Sequence, residues 1–327
     1  MIWLGGLMGK RVAILLLVVA VIGTGVVVGT TLLPRLRADS EQTEAPATVE
    51  ETPEERVVVQ EEQLHPVTMA EAATLTSTGE DGLTVTAPEA FLEREELSAV
   101  RSEIAKLEET GVEVSVALVD LETRRGLWYD ADASRYPASS IKAAYCTWIC
   151  ESHGGSGGMA NSMASCLLYS SNDDYHALLD AFGLSAYAAW LGEKGAPQAA
   201  STGDFYYYPY TTANELASIW QEIHRYGTSG EAGSEELVGY LSQTTSTPLG
   251  ETLRDSCEVW SKAGWYPADG TGLQSTNDAG VVFSDTGTYV VVIMTNMSSN
   301  LDGLKPLIAA LDEAHDVMCG DEVAYYE

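Results

Sequence analysis

Apolar residues in the first third of the chain follow three patterns in turn. Between Val12 and Leu33 they run for 22 residues without a charge, about the length a helix needs to cross the hydrocarbon core of a bilayer. From Glu93 to Thr110 they recur three and four apart, at Leu97, Val100, Ile104 and Leu107, which predicts an amphipathic helix. The period then drops to two. Val114, Val116 and Leu118 alternate within Val112 to Leu121, and Gly126 to Tyr129 follows a turn at Glu122 to Arg125, so two strands are predicted. Ser139 to about Leu249 reads as helices separated by Gly, Ser and Pro segments. Glu258 to Asn296 returns to strands, broken at Pro267 to Gly272 and Asp285 to Gly287, and a last helix covers Leu304 to His315. This order predicts an α+β fold: an antiparallel five-stranded sheet flanked by terminal helices, with the middle block inserted as a helical lobe. A site is expected in the cleft between lobe and sheet.

Composition separates the apolar run from the folded part. From Ala38 to Glu96, acidic residues outnumber basic ones 16 to 2 and aromatics are nearly absent, as in a solvated linker. The predicted organisation is a cytoplasmic N-terminus over 1–11, a transmembrane signal anchor over 12–33, an acidic disordered linker over 34–89, a folded domain over 90–317 and a tail over 318–327. This puts the domain outside the cytoplasm on a single-pass anchor, the alternative being secretion after cleavage. With a net charge of −31 and no Lys/Arg cluster beyond the flanks of the apolar run, there is no footprint for nucleic acid, and a monomer is expected. The cysteines, Cys146, Cys150, Cys166, Cys257 and Cys319, fit neither a zinc ribbon nor a C-x-x-C pair. Their clustering suggests a bridge from Cys166 to Cys146 or Cys150, and a looser one from Cys257 to Cys319. His153, His176, His224 and His315 have no metal spacing, so neither metal nor cofactor is expected.

Three short segments carry candidate chemistry. In Tyr136-Pro-Ala-Ser-Ser-Ile-Lys142, Pro137 blocks a helix from upstream and Ser139 stands at the first turn of the next one, with Lys142 three residues on. A helix N-terminus stabilises charge on the serine oxygen, and a neutral amine one turn away can take its proton. A second buried cation would lower that amine's pKa. Ser170-Ser-Asn172 follows at the end of a predicted helix, and Lys262-Ala-Gly264 lies in a strand-like segment. There a lysine can hold a substrate carboxylate, and glycine lets backbone amides come close. Each segment alone is an ordinary polar cluster; their joint order on the expected elements points to one site.

Together the segments resemble S-x-x-K, S-D-N and K-T-G, the three motifs of class A β-lactamases and penicillin-binding proteins. The resemblance covers about residues 90 to 317 and includes Tyr210-Thr-Thr-Ala-Asn-Glu-Leu-Ala217 and Asn277-Asp-Ala-Gly280. It implies a β-lactamase/transpeptidase-like fold with Ser139 as acylated nucleophile and Lys142 as its base or relay. Ser170 would pass a proton to the leaving nitrogen, Asn172 would bind the substrate's side-chain amide, and Lys262 its carboxylate. Gly264 would permit close approach, and the amides of Ser139 and Trp265 would form the oxyanion hole. Cys146 also matches a position of the disulfide common in that family.

Two positions depart from the family pattern. Ala263 lacks the hydroxyl usual in the middle of the third motif. The glutamate of the E-x-x-L-N loop, which acts in deacylation, has no counterpart; Glu193 falls too early, and Asp204 is a weak candidate base. Three functions follow as expectations: a β-lactamase opening a β-lactam amide, a D,D-peptidase acting on peptidoglycan stem peptides, or a non-catalytic binding module. Retention of the five polar residues Ser139, Lys142, Ser170, Asn172 and Lys262 argues against the last. Gly154-Gly-Ser-Gly-Gly158 satisfies G-x-S-x-G, but no strand precedes it, so it reads as a loop.

Overall fold

The computed structural model describes residues 64–202 and 208–327. Strand β4 (Val114–Asp120) and strand β5 (Gly126–Tyr129) stand where the alternation predicts them. Helix α1 (Glu95–Glu109) precedes them and helix α10 (Lys305–Cys319) closes the domain. Between them lie α2 (Lys142–His153), α3 (Ala160–Leu168), α4 (Asn172–Phe182), α5 (Ser185–Glu193), α6 (Pro197–Ser201), α7 (Ala213–Gly227), α8 (Ser234–Leu241) and α9 (Pro248–Leu253). Strands β6 (Glu258–Ser261), β7 (Gly264–Tyr266), β8 (Ser275–Ser284) and β9 (Gly287–Thr295) follow.

The sheet is antiparallel throughout and holds eight strands rather than five. Its order is β2-β3-β5-β4-β9-β8-β6, with β7 also pairing β8. The additional edge strands, β2 (Thr74–Thr78) and β3 (Thr84–Pro88), come from the segment expected to be linker. That expectation is therefore corrected for residues 64–89. The acid-rich average hides a local alternation in which Leu83, Val85 and Ala87 are buried while threonines face out. Thr76 pairs with Thr86 and Thr78 with Thr84, each hydroxyl to hydroxyl at 2.9 Å, the kind of cross-strand contact that favours strand pairing. The expected tail is also structured: β10 (Val323–Tyr326) pairs with β1 (Pro66–Thr68). Buried Arg125 fastens both ends of the domain, donating to the carbonyls of Met69, Ala70, Ala72 and Met318. The apolar run at 12–33 and most of the acidic segment lie outside the described residues, among which no helix is long and apolar enough to cross a membrane.

Strand alternation sorts side chains into two cores. Val114, Val116 and Leu118 of β4 and Val291 and Ile293 of β9 face α1 and α10. Ala117, Val290, Val292 and Met294 face the helical lobe. A sheet covered on both faces explains the nearly continuous apolar run in β9, Tyr289 to Met294. Every residue of α2 from Lys142 to Cys150 is buried, so the helix after the candidate nucleophile runs through the lobe's centre. All five cysteines are thiols, and Cys146 Sγ stands 4.0 Å from Cys166 Sγ. The expected bridges are therefore not formed here, a disulfide needing about 2.05 Å between sulfurs.

Candidate active site

The turn carrying Ser139 is held from several sides. Ala138 has φ +46°, a left-handed conformation that costs a non-glycine residue energy and persists only where its surroundings enforce it. A 3₁₀ turn over Ala138–Ile141 then leads into α2, so Ser139 stands at the entrance of a 12-residue helix. Asn277 of β8 donates through Nδ2 to the carbonyls of Tyr136 and Pro137, both at 3.0 Å, while its Oδ1 accepts from Thr295 N–H at 3.0 Å. Ser140 Oγ donates to Pro137 O at 2.7 Å. Strand β7 presses directly on this turn. A Cβ at Gly264 would lie 2.3 Å from Ser140 N and 2.6 Å from both Ser139 N and Pro137 O, so only glycine fits. Trp265, next on the same strand, lies opposite Thr276 of β8.

Behind the turn, two buried lysines converge on the second motif. Lys142 Nζ donates to Ser170 O at 2.7 Å, to Asn172 Oδ1 at 2.7 Å and to Ser171 O at 3.3 Å. Lys262 Nζ donates to Ser170 Oγ at 3.0 Å and Ala263 O at 2.8 Å. Ser170 itself has φ +59° and bridges the lysines, its carbonyl taking one and its hydroxyl the other. Burial pushes Lys142 down to about 8, against a smaller opposing effect of the Cys166 and Cys146 thiols. Burial and then the charge of Lys142 push Lys262 down to about 8. Neither amine bonds a carboxylate among the described residues, and the charge of buried Asp278 offsets only a small part of the desolvation of Lys262.

The sequence thus named Ser139, Lys142, Ser170, Asn172, Lys262, Gly264 and Trp265, and the fold gathers them at the junction of α2, α4 and β7. Asp204 lies outside the described residues, and Glu193 is exposed at the end of α5. Three residues went unassigned. Asn277 was part of a noted tetrapeptide, but its tie to the Ser139 turn depends on strand register. Glu215 joins the two ends of the loop between α6 and α7, accepting from Gln198 N–H, Ala199 N–H and Thr211 Oγ1. A capping box at Thr212-Ala-Asn-Glu215 was its sequence signal, and Thr212 Oγ1 does accept from Glu215 N–H at 3.1 Å. Tyr208 donates to Asn172 Oδ1 at 3.1 Å.

The model of a family described as "Beta-lactamase enzyme family" matches residues 161–314. The fold is β-lactamase-like. That match takes in the second and third motifs, whereas Ser139 and Lys142 precede it. The β-lactamase-like domain also superposes on solved structures at low identity. A β-lactamase from Desulfarculus baarsii DSM 2075 is 14% identical with a TM-score of 0.55, covering 67% of this chain and 97% of its own. A β-lactamase from Chitinophaga pinensis DSM 2588 is 15% identical with a TM-score of 0.55, over 68% and 98% of the two chains. The TLA-1 extended-spectrum β-lactamase is 14% identical with a TM-score of 0.56, over 68% and 98%. At these identities the likeness establishes the fold. No curated protein matches.

Proposed function

We propose that this β-lactamase-like domain is a serine acyl-transfer enzyme that opens the amide of a β-lactam through an ester on Ser139. The observation that carries this reading is the bridging of buried Lys142 and Lys262 by Ser170, beside a nucleophile turn clamped by Gly264. A charged Lys142 has three N–H donors, and the chain offers three acceptors. On losing a proton it gives up one of them, the 3.3 Å contact to Ser171 O being the longest. Its lone pair can then accept the Ser139 hydroxyl proton as Oγ attacks the carbonyl carbon. The N–H groups of Ser139 and Trp265 would receive the developing oxyanion, each such donor contributing about 3 kcal/mol to transition-state stabilisation. Ser170 Oγ would pass a proton to the leaving nitrogen and recover one from the lysine side, while Lys262 holds the substrate carboxylate.

A second reading shares the acylation step. Because no carboxylate bonds Lys142 among the described residues, hydrolysis of the ester lacks an evident base. That favours a penicillin-trapped D,D-peptidase acting on cell-wall stem peptides. In either case we infer a domain outside the cytoplasm, from the apolar run at 12–33. Intact mass after mixing with a penicillin tests both readings. An adduct that forms and clears with hydrolysed drug supports the β-lactamase, and a persistent adduct supports the peptidase. Ser139→Ala is expected to abolish labelling; an adduct that survives this change would overturn the assignment.

A further inference from the structure

The end of α10 carries His315 and Cys319, four residues apart and so on one face of the helix. Asp120, the last residue of β4, lies beside them. An oxygen of Asp120, a ring nitrogen of His315 and the sulfur of Cys319 all lie within 4.8 Å of one another, and all three residues are buried. Donors bonded at about 2.0–2.3 Å to a tetrahedral ion stand about 3.3–3.8 Å apart, so small side-chain shifts close this set on a metal. The histidines taken alone show no ligand spacing, whereas His315-x-x-x-Cys319 on a helix does.

Groups behind the donors fix their orientation. Asp120 Oδ1 accepts from Glu122 N–H at 3.1 Å and from Thr123 N–H and Thr123 Oγ1, both at 2.7 Å, while Oδ2 lies 3.0 Å from His315 Nε2. The other ring nitrogen, Nδ1, lies 3.4 Å from Thr286 Oγ1 and 3.8 Å from Asp316 Oδ1. Thr286 in turn donates to that carboxylate oxygen at 2.6 Å. A carboxylate behind one ring nitrogen is the usual support of a histidine that binds metal through the other. Gly287 keeps the opposite side clear, since a Cβ there would lie 2.6 Å from Asp120 Oδ2. The donor set also selects the ion. Sulfur and imidazole disfavour Ca²⁺ and Mg²⁺, which take oxygen ligands, and suit Zn²⁺. The charge balances as well: the ion replaces one proton on the His315 imidazolium and one on the Cys319 thiol, both released to solvent, so the net charge of the buried cluster is unchanged.

We propose that Asp120, His315 and Cys319 bind one Zn²⁺, with water as the fourth ligand, and that the ion clips the end of α10 to β4. The site is independent of the acyl-transfer reading. The test is titration of the reduced full-length protein with Co²⁺, which reports a thiolate ligand by a charge-transfer absorption band, followed by displacement with Zn²⁺. A band that saturates at one ion per chain and is lost on adding Zn²⁺ is expected, together with a rise in melting temperature with Zn²⁺ concentration. Cys319→Ala leaves the Asp120–His315 pair in place and is expected to abolish the band and the rise. Asp316→Asn, at a half-exposed position, keeps the three ligands and is expected to weaken Zn²⁺ binding about 10- to 100-fold, as loss of a supporting carboxylate does. Absence of the band in wild type, a band that survives Cys319→Ala, or a melting rise equal to wild type in both variants would overturn the proposal.

Discussion

Two buried basic clusters lie on different parts of the domain, and they titrate in opposite directions. In the cleft, burial holds Lys142 and Lys262 down at about 8, and their hydrogen-bond partners among the described residues are carbonyls, one hydroxyl and one side-chain amide. At the end of α10, His315 is equally buried, and burial alone would lower its pKa. Its bond to Asp120 at 3.0 Å and its pairing with Asp316 outweigh that effect and push it up to about 10. Cys319 joins Asp120 and His315 with ligand atoms all within 4.8 Å of one another, and without a metal ion the imidazole and carboxylate satisfy each other. The His315 charge is met by hydrogen-bonded carboxylates, whereas neither lysine ammonium has one in hydrogen-bond contact among the described residues. Strongly perturbed groups of the second kind, gathered in a cleft, are the features that make a functional-site candidate.

The sharpest test separates the two clusters by what each controls. Lys142→Met removes the amine proposed to take the Ser139 proton and is expected to slow penicillin acylation by roughly 10²–10⁴-fold. His315→Gln is expected to leave the acylation rate within about twofold of wild type, because Asp120 and α10 lie away from the turn. Stopped-flow acylation of both variants checks this. A comparable loss in His315→Gln would mean that the second cluster also serves the chemistry.

Stability against pH divides the clusters by sign. His315 has a folded pKa raised above its ordinary 6.5 to about 10. Its contribution is complete below 6.5 and is lost as pH rises through 10. His315→Gln is therefore expected to cost about 3–5 kcal/mol at pH 6, the usual cost of breaking a buried pair, and much less near pH 10. Lys262 is a base whose folded pKa is lowered from 10.5 to about 8. The folded state thus carries an unfavourable charge below 8, and this penalty fades between 8 and 10.5. Lys262→Met is expected to stabilise the domain at pH 6 by a few kcal/mol, at about 1.4 kcal/mol per pKa unit, with the gain shrinking towards pH 10. Urea unfolding at pH 6 and pH 9.5 reads both slopes. Slopes of the same sign would break the distinction.

The legibility of the two clusters in the sequence differed for a physical reason. Ser139, Lys142, Ser170, Asn172, Lys262 and Gly264 sit in short segments whose spacing is set by one helical turn or one strand, so local pattern located them. The His315–Asp120 pair joins residues 195 apart, and no local spacing predicts which β4 residue meets α10. The order of strands and lobe was legible for the same local reasons. The pairing of β2 and β3 was not, because threonine alternation there is diluted by Glu and Asp, and Arg125 makes its bonds to carbonyls far along the chain. Clustering did bring Cys146 and Cys166 together, though as thiols.

The smallest expected effect probes the carboxylate-binding role proposed for Lys262. Lys262 Nζ uses two donors, on Ser170 Oγ and Ala263 O, which leaves one for a substrate carboxylate. Ala263→Thr places a hydroxyl beside that ammonium, where one more hydrogen bond contributes about 0.5–1.5 kcal/mol, or about 2- to 10-fold in the second-order acylation constant. Ala263 is only 1% exposed, so the two added heavy atoms are expected to lower stability by about 1–3 kcal/mol through overpacking. Acylation should therefore improve while the melting temperature falls. The gain should vanish with a penicillin whose carboxylate is esterified, since the hydroxyl then has no charged partner. Equal gains on acid and ester would mean that Lys262 does not face the substrate's carboxylate, and its depressed pKa would then serve Lys142 alone.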